Sequence, residues 1–452
     1  MSLTDRLAQS ANSSVGSDTD VVPARENELD ELKVKYHYTL VNELGPELDD
    51  TGTGREALKS RVEQILRSLL AIETMPLSSQ DKEGIIRDVI DNILGYGPIE
   101  QFLKDQDITE VMVNNADSIY IERAGKIYKT DRKFLDEDHL LRIIDKIVSQ
   151  VGRRIDESSP MVDARLPDGS RVNAVIHPLA INGPMLTIRK FSKDPFTVDD
   201  LIRFETMNSE VANLLKACVA GRLNILVSGG TGTGKTTMLN VLSSFLPGDE
   251  RIVTIEDSAE LQLRQDHVLR LESRPANIEG KGEITIRDLV RNALRMRPDR
   301  IVIGEVRGGE ALDMLQAMNT GHDGSLSTVH ANSPRDVLSR VETMVLMSGF
   351  DLPMRAIREY ISSSLNLIVH LVRLRDGSRR ITQITEVQGM EGDTITLQDI
   401  FRFDFSMGIT EDGRFKGRLK STGIRPTFTQ RLMDFGIQIP LDTFKFDPMA
   451  RR

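Results

Sequence analysis

The sequence is poor in the residues on which several protein classes depend. Among its 452 residues there is one cysteine and no tryptophan, and aromatic residues make up 5%. A single cysteine, Cys218, can form neither an internal disulfide nor a four-cysteine zinc site. It lies in the apolar, helix-like stretch VANLLKACVAG, which predicts a small buried hydrophobe. Disulfide-stapled scaffolds and four-thiolate zinc modules are therefore excluded.

Long hydrophobic runs are also missing. No stretch approaches the ~18 apolar residues of a membrane-spanning helix, and the short run NLIVHLV (Asn366–Val372) is typical of a core strand. The N-terminal stretch MSLTDRLAQSANSSVGSDTD lacks the apolar centre of a secretory signal. We therefore expect a cytosolic protein.

An excess of positive charge is the third absence. The chain has 58 Lys and Arg residues against 68 Asp and Glu residues, a net charge of −10, and a pI of about 5.4. Because phosphate contacts dominate nucleic-acid affinity, this acidity argues against a protein that tracks along DNA, although a local basic groove stays compatible with it. It gives no support for strong adhesion to anionic lipid either.

Composition and periodicity change several times along the chain. A segment rich in Ser, Thr, Asp and Asn predicts disorder, and helical spacing then continues to the turn signal GYGP. Short β-type runs around an amphipathic helix predict an α+β lobe, and the later alternation of helical and apolar β runs predicts a mostly parallel sheet covered by helices. The predicted boundaries are 1–28 for the disordered tail, 29–95 for the helical region, 96–191 for the α+β lobe, 192–207 for a linker and 208–452 for the α/β domain.

The stretch ILVSGGTGTGKTTML (Ile225–Leu239) fits the pattern G-x-x-x-x-G-K-[ST], with an apolar strand before it and a helix-compatible run after it. Its glycines let consecutive backbone N–H groups surround phosphate oxygens, and the helix N-terminus adds partial positive charge. Lys235 is expected to reach the β- and γ-phosphates, and Thr236 to ligate Mg²⁺. The predicted nucleotide-binding residues are Gly229, Gly230, Thr231, Gly232, Thr233, Gly234, Lys235, Thr236 and Thr237.

A similar stretch, DDTGTGREAL (Asp49–Leu58), lacks the Gly-Lys-Ser/Thr ending and has no apolar strand before it. It predicts a flexible turn that leads into a helix and not a second phosphate site. No Asn-Lys-x-Asp guanine-reading motif follows the first stretch, so ATP is favoured over GTP as the ligand.

Acidic residues stand at the ends of two further apolar strands. In RIVTIEDSAEL, Glu256 and Asp257 end a strand, where ligands bind in open α/β sheets, and they suit Mg²⁺ binding or the orientation of water. The strand in DRIVIGEV occupies the place of a Walker B strand, and Glu305 stands where such strands usually end in aspartate. Glu305 is suited to orient the attacking water while helping to hold Mg²⁺. The alternatives are a solvated turn at Glu256 and a structural salt bridge from Glu305 to Arg307.

A histidine and a set of arginines complete the candidate site. His330 ends a third short strand, where it is suited to sense the γ-phosphate or relay closure between domains; the alternative is a hydrogen-bonded structural histidine. In TIRDLVRNALRMRPDR, Arg287, Arg291 and Arg295 are spaced by four and share one helix face. That face is either solvated and salt-bridged, or it supplies Arg291 and Arg295 to a γ-phosphate as arginine fingers do.

Together these segments closely resemble the secretion and traffic ATPases of type II and type IV systems, specifically the branch that assembles tight-adherence (Tad) pili. The stretches that carry the resemblance include GYGPIEQFLKDQDITEVMVNN, DARLPDGSRVNAVIHPLA, GGTGTGKTT, IEDSAEL and RIVIGEVRGGEAL, followed by GHDGSLSTVHANSP. The absence of a four-cysteine module places the chain nearer the conjugation and Tad branches than the type II secretion relatives. The helical region before Ile93 lies outside the shared core.

The resemblance implies a subunit in which an N-terminal α+β domain precedes a RecA-like P-loop ATPase domain, assembled as a hexameric ring with ATP and Mg²⁺ between the lobes. It implies that Glu305 is the catalytic glutamate. It implies that Glu256 belongs to an acidic motif of the family and His330 to a second motif, called the histidine box. It also implies that arginines of the N-terminal domain approach the triphosphate. Arg171 and Arg189 are the candidates. It further implies a cytoplasmic motor at the inner face of the membrane that drives a pilus platform protein.

Two other function classes compete with a mechanical ATPase. A DNA-translocating RecA-type motor should carry a basic or aromatic lining, which the charge of −10 and the lack of tryptophan disfavour. A small-molecule kinase or nucleotide-gated binding module leaves the lobe before the P-loop and the histidine box unexplained. Nucleic acid is therefore not an expected partner.

Overall fold

The structure, a computed structural model, describes residues 21–48, 55–191, 195–276 and 280–445. Contacts between Cα atoms divide the chain into two units, Met1–Ser192 and Lys193–Arg452. The boundary falls inside the predicted linker 192–207 and assigns nearly all of that segment to the second unit. Within it, a short helix spans Val198–Arg203 and is capped by Thr197, whose side chain accepts the N–H of Asp200.

The described part of the first unit begins with three helices: α1 (Val21–Leu48), α2 (Arg55–Ala71) and α3 (Ser79–Ile93). Their apolar stripes meet in a shared core that includes Leu40, Leu44, Val62, Leu66 and Val89. The helical region is therefore confirmed, but residues 21–28, which composition placed in a disordered tail, form the first turns of α1. Residues 1–20 and the predicted turn Thr51–Gly54 lie outside the described residues.

The rest of the first unit is the predicted α+β lobe. After a 3₁₀ turn at Gly97–Ile99 and helix α4 (Glu100–Lys104), six antiparallel strands form a sheet in the order β3-β2-β1-β6-β5-β4. Helix α5 (Glu137–Gln150) buries its apolar face in the same core. The strands are β1 (Ile108–Asn115), β2 (Ser118–Arg123), β3 (Lys126–Lys129), β4 (Met161–Arg165), β5 (Arg171–Val175) and β6 (Met185–Arg189).

A turn at Pro167-Asp168-Gly169 joins β4 to β5. Gly169 has a φ of +92°, and its N–H donates to the carbonyl oxygen of Leu166. Glycine is the residue that adopts this backbone region without strain. The turn sets the register in which Arg165 faces Arg171, and β5 then brings Arg171 beside Arg189 on β6.

The second unit is built on a nine-stranded sheet in the order β15-β14-β13-β12-β7-β11-β10-β8-β9. The six strands from β12 to β9 run parallel, and β13, β14 and β15 extend the sheet by antiparallel pairing. The strands are β7 (Ile225–Gly229), β8 (Ile252–Glu256), β9 (Val268–Glu272), β10 (Arg300–Val306), β11 (Leu326–His330), β12 (Leu367–Arg373), β13 (Arg379–Glu391), β14 (Thr394–Asp404) and β15 (Arg418–Ser421). The sequence predicts the parallel part, whereas the antiparallel extension was missed.

Helices cover both faces of this sheet. The short helix Val198–Arg203 is α6. The later helices are α7 (Ser209–Ala220), α8 (Lys235–Ser243), α9 (Ile286–Ala293), α10 (Glu310–Asn319), α11 (Pro334–Leu346), α12 (Met354–Ser364) and α13 (Thr429–Asp434). One core cluster joins the sheet to α7 and α8, and the other joins it to α9, α10, α11 and α12. The chain thus has the predicted α/β fold class, with an α/β P-loop domain after a smaller α+β domain and a helical region.

Cys218 lies on α7 and is fully buried among apolar side chains. Burial raises the pKa of its thiol above the ordinary value. The prediction of a small core hydrophobe is therefore confirmed. Within the described ranges, every helix is too short or too polar to cross a bilayer.

Candidate nucleotide site

The P-loop connects the central strand β7 to helix α8. All five residues of β7 are buried, and α8 begins at Lys235 after Gly234, which has a φ of +93°. A Cβ atom at Gly229 would lie 2.5 Å from the carbonyl oxygen of Leu371 on β12, so only glycine fits at the point where the loop leaves the strand. Loop and helix N-terminus have the arrangement that surrounds phosphate oxygens in P-loop proteins.

Lys235 lies over its own loop and contacts His330 from the neighbouring strand β11. Its Nζ is 3.0 Å from the carbonyl oxygen of Gly230 and 3.3 Å from Nδ1 of His330. Nε2 of His330 is 3.5 Å from Oγ1 of Thr231. Because the ammonium group can only donate, Nδ1 acts as acceptor and the ring proton belongs on Nε2. Partial burial, and then the charge of Lys235, lower the pKa of His330.

Glu305, near the end of β10, lies close to Arg307 and His330. Its Oε2 accepts a 2.7 Å bond from Nη2 of Arg307, and its Oε1 lies 3.8 Å from Nδ1 of His330. Nη1 of Arg307 also approaches Oδ2 of Asp257 at 3.4 Å. The alternative of a salt bridge from Glu305 to Arg307 is thus present in the structure, together with the approach of Glu305 to His330. We call Lys235, Asp257, Glu305, Arg307 and His330 the strand-end cluster.

Glu256 lies deeper than a solvated turn residue. Its side chain is buried, and Oε1 accepts the N–H groups of Glu260 and Leu261, each at 2.9 Å. Oε2 is also buried and has no hydrogen-bond partner in the part of the chain that the structure describes. Burial raises the pKa of Glu256 to about 7. A close neighbour is Gly304, where a Cβ atom would lie 2.9 Å from Cγ of Glu256.

The residues present fit a nucleotide with Mg²⁺. The P-loop supplies the backbone cradle, and the first turn of α8 carries the Thr236 hydroxyl. The carboxylates of Glu305 and Asp257 and the buried Oε2 of Glu256 are hard oxygen donors of the kind that Mg²⁺ prefers. No group of three His, Cys, Asp or Glu side chains that could hold a metal by itself occurs among the described residues. In nucleotide sites Mg²⁺ takes one or two protein carboxylates and completes its shell with phosphate oxygens and water.

Two arginines beside the P-loop were missed by sequence reasoning. Nε of Arg379 donates to the carbonyl oxygen of Gly232 at 2.9 Å, and Arg373 lies opposite Arg379 in the pairing of β12 with β13. A Cβ atom at Gly232 would lie 3.4 Å from Nη1 of Arg373. The available signal was the run VRLRDGSRR, which places arginines on both sides of an Asp-Gly turn directly after an apolar strand.

The predicted helical arginines, Arg287, Arg291 and Arg295, are not part of the strand-end cluster. Arg287 and Arg291 both bind Asp313 on α10, each through a 2.8 Å contact from Nε, as the salt-bridged alternative expected. Helix α9 ends at Ala293, so Arg295 lies beyond it and does not share its face with Arg291. Arg295 is exposed. The expectation of one helical row of three arginines is therefore wrong for Arg295.

Arg171 and Arg189 belong to the first unit. They are register partners on the adjacent strands β5 and β6, and Arg165 on β4 extends the row. On its other side, Arg189 faces Glu110 of β1. The lobe therefore presents three arginines next to one another across its sheet.

Comparison with known proteins gives one family. The family model described as type II/IV secretion system protein matches residues 93–403. A putative conjugal transfer protein of Mycobacterium tuberculosis is 37% identical over 326 residues, which are 71% of this chain and 91% of that protein. The type IV secretion system protein VirB11 of Bartonella henselae is 31% identical over 324 residues, 64% of this chain and 90% of that protein.

Among solved structures, the VirB11 ATPase from the type IV secretion system of Brucella suis, in complex with sulphate, is 30% identical. The match covers 64% of this chain and 94% of that chain, with a TM-score of 0.35. The residues matched by the family model run from the end of α3 through the α+β lobe and into β14.

Proposed function

Because the chain belongs to the type II/IV secretion system protein family, we propose that this ATPase is a motor that converts ATP hydrolysis into mechanical work for pilus assembly or protein secretion. One observation carries the proposal. The strand-end cluster brings together Lys235, at the start of α8, with a glutamate, an aspartate and a histidine at the carboxyl ends of neighbouring parallel strands. Ligands of open α/β sheets bind at the carboxyl ends of the strands.

In this proposal each residue of the site has a defined task. Lys235 moves from the carbonyl of Gly230 to the β- and γ-phosphates, and the backbone of Gly229–Thr237 surrounds them. Thr236, Asp257 and Glu305 hold Mg²⁺, which neutralises charge on the phosphates when it is bound. Glu305 orients the attacking water and accepts its proton, with Glu256 supporting it from the next strand. His330 links the two ends, because it contacts both Lys235 and Glu305.

The proposal extends to the assembled machine. The motor acts as a homo-oligomer, a hexameric ring of the Tad type, at the cytoplasmic face of the inner membrane, where it drives a pilus platform protein. Arg171 and Arg189 of the first unit, and Arg291 and Arg295 of the second, supply positive charge to the γ-phosphate in the transition state. This part rests on the family resemblance. The names of the two relatives, a putative conjugal transfer protein and a type IV secretion system protein, support a motor of secretion type.

The test is ATP hydrolysis by the full chain under three conditions: alone, with a pilus platform protein in liposomes, and with double-stranded DNA. We expect severalfold stimulation by the platform protein and no change with DNA. Lys235→Ala should abolish turnover in every condition, whereas the control Lys216→Ala changes an exposed lysine of α7 and should leave it unchanged. Stimulation by DNA together with indifference to the platform would replace the proposal by a DNA-translocating motor.

A further inference from the structure

The hairpin formed by β12 and β13 places two guanidinium groups against the P-loop. Arg379 donates from Nε to the carbonyl oxygen of Gly232 at 2.9 Å, and its Cδ would lie 3.5 Å from a Cβ atom at Gly234. Arg373 is the register partner of Arg379, and its Nη1 would lie 3.4 Å from a Cβ atom at Gly232. Both arginines therefore reach the middle of the phosphate-binding loop from one side.

That side is opposite to the strand-end cluster. Strand β7 lies between β12 and β11 in the sheet, and β10 follows β11. His330 and Glu305, which the proposed function places at the γ-phosphate end of the nucleotide, lie at the ends of β11 and β10. A nucleotide whose γ-phosphate lies beside them must extend its α-phosphate, ribose and base away from β11, and β12 with its hairpin is the next element in that direction.

We propose that Arg379, with Arg373 beside it, binds the ribose–base half of ATP, and that the guanidinium of Arg379 stacks on the nucleobase. Guanidinium planes stack on aromatic rings. The bond to Gly232 uses the edge of the guanidinium plane, whereas stacking uses its face, so the two contacts are compatible. The inference rests on the proposed function of this site as an ATP site, and it adds residues that fix the nucleoside and not the phosphates.

The same geometry allows a second role for Arg379, and the two roles predict different effects of its removal on ligand binding. If Arg379 only holds the carbonyl of Gly232, its removal distorts the P-loop and weakens every ligand that carries the phosphate chain. If it contacts the nucleoside, its removal weakens ATP alone. Inorganic tripolyphosphate, which has the phosphates but no ribose or base, separates these two roles.

The experiment measures the Kd of Mg-ATP and of Mg-tripolyphosphate for the full chain by titration calorimetry. We expect Arg379→Ala to raise the Kd of ATP about 10-fold, in the range measured for base–side-chain stacking, and to leave that of tripolyphosphate within about 2-fold. Arg379→Lys keeps the charge but not the planar group, so it should also weaken ATP selectively. Arg373→Ala should act in the same direction as Arg379→Ala.

Two controls define what the result means. Arg375→Ala removes an exposed arginine of the turn in the same hairpin and should leave both Kd values unchanged. Lys235→Ala should weaken both ligands. The inference is overturned if Arg379→Ala and Arg379→Lys weaken ATP and tripolyphosphate equally, or weaken neither, while the wild-type chain binds both. Failure of the wild-type chain to bind ATP would instead overturn the proposed function.

Discussion

At the residue scale, Glu305 has one carboxylate oxygen bound by Arg307 and the other directed towards His330. Glutamine at this position keeps an oxygen for Arg307 but cannot accept a proton from water. We therefore expect Glu305→Gln to bind Mg-ATP with an affinity close to that of the wild type and to hydrolyse it about 100-fold or more slowly, the loss typical of a removed general base. Calorimetry and phosphate release measure the two quantities separately.

The contrasting variant is Lys235→Ala, which should lose binding as well as turnover. If Glu305→Gln hydrolyses ATP at the wild-type rate, Glu305 has no part in catalysis and its contact with Arg307 is structural. Loss of binding in both variants would assign Glu305 to the ligand and not to the water.

Glu256 gives a prediction about pH. Its pKa is raised to about 7 in the folded chain, against 4.5 for an unperturbed side chain, because it is buried. A raised pKa means that the folded state holds the proton more tightly than the unfolded state, so the associated stability is complete below pH 4.5 and is lost as pH rises through 7. Glu256→Gln cannot ionise, and it keeps an oxygen for Glu260 and Leu261.

We expect the free energy of unfolding of Glu256→Gln, relative to that of the wild type, to rise between pH 5 and pH 8, by up to about 3 kcal/mol. Denaturant unfolding at several pH values measures this change. ATP hydrolysis by the same variant should fall most above pH 7, where Glu256 of the wild type is ionised and the substitution removes a carboxylate from the site. The exposed Glu283 offers a matched control, Glu283→Gln, whose stability should follow the wild type. Parallel pH profiles for wild type and Glu256→Gln would contradict the assignment.

How far single residues could be predicted depends on whether their partners are local. The P-loop could be recognised because one short loop supplies the whole phosphate cradle, so the spacing of Gly229, Gly234 and Lys235 can be read from a single stretch of sequence. Arg379 reaches Gly232 across 147 residues of chain, through the pairing of β12 with β7. No local pattern reveals such a contact. The burial of Glu256 likewise depends on how the loop after β8 folds back over it.

At the scale of elements, helix α1 packs on the α+β lobe through a pair of buried histidines. The ring centroids of His37 on α1 and His139 on α5 are 5.4 Å apart, and Tyr38 donates to Asp136 at 2.8 Å beside them. Burial lowers the pKa of each histidine to about 4, and the charge of Arg142 acts in the same direction, while Asp136 opposes it. Both imidazoles are therefore neutral in the folded lobe.

A lowered pKa means that the unfolded state binds protons more readily than the folded state, so stability is lost as pH falls from 6.5 towards 4. We expect the free energy of unfolding of the first unit to fall by a few kcal/mol over that interval (up to ~3 kcal/mol per histidine). Replacement by glutamine at both His37 and His139 should flatten the dependence. Hydrogen exchange of α1 in the full chain reports the change, and His177→Gln, at an exposed histidine, is the control. An unchanged slope in the double variant would show that other groups set the acid sensitivity.

The elements themselves were predicted where one periodicity governs them. Helix α2 could be predicted because its apolar residues recur at helical spacing; four of them, Leu58, Val62, Leu66 and Leu70, are buried. Strand β13 was missed because it is buried along most of its length on both faces, so its residues do not alternate between apolar and polar. Its pairing with β12 and β14 is set by tertiary contacts, and in the sequence only the Asp-Gly turn before it indicates a hairpin.

At the scale of the whole molecule, the proposed ring leads to a test of where the arginines act. Subunits with Lys235→Ala have no working site but keep their arginines, and subunits with Arg291→Ala and Arg295→Ala have an intact P-loop. Asp313 stays paired in the second variant because Arg287 also binds it. If Arg291 or Arg295 completes the site of a neighbouring subunit, each variant alone is inactive and mixed rings recover activity.

Random mixing in equal amounts should restore about a quarter of the wild-type rate, because an active site needs an intact P-loop on one side of a head-to-tail interface and intact arginines on the other. Phosphate release after mixing and re-assembly measures it. The same mixture with Arg171→Ala and Arg189→Ala subunits tests the first unit: arginines that act on the site of their own subunit give no recovery. Full activity of Arg291→Ala with Arg295→Ala alone would remove both from catalysis and leave Arg291 as the partner of Asp313, a structural contact between α9 and α10.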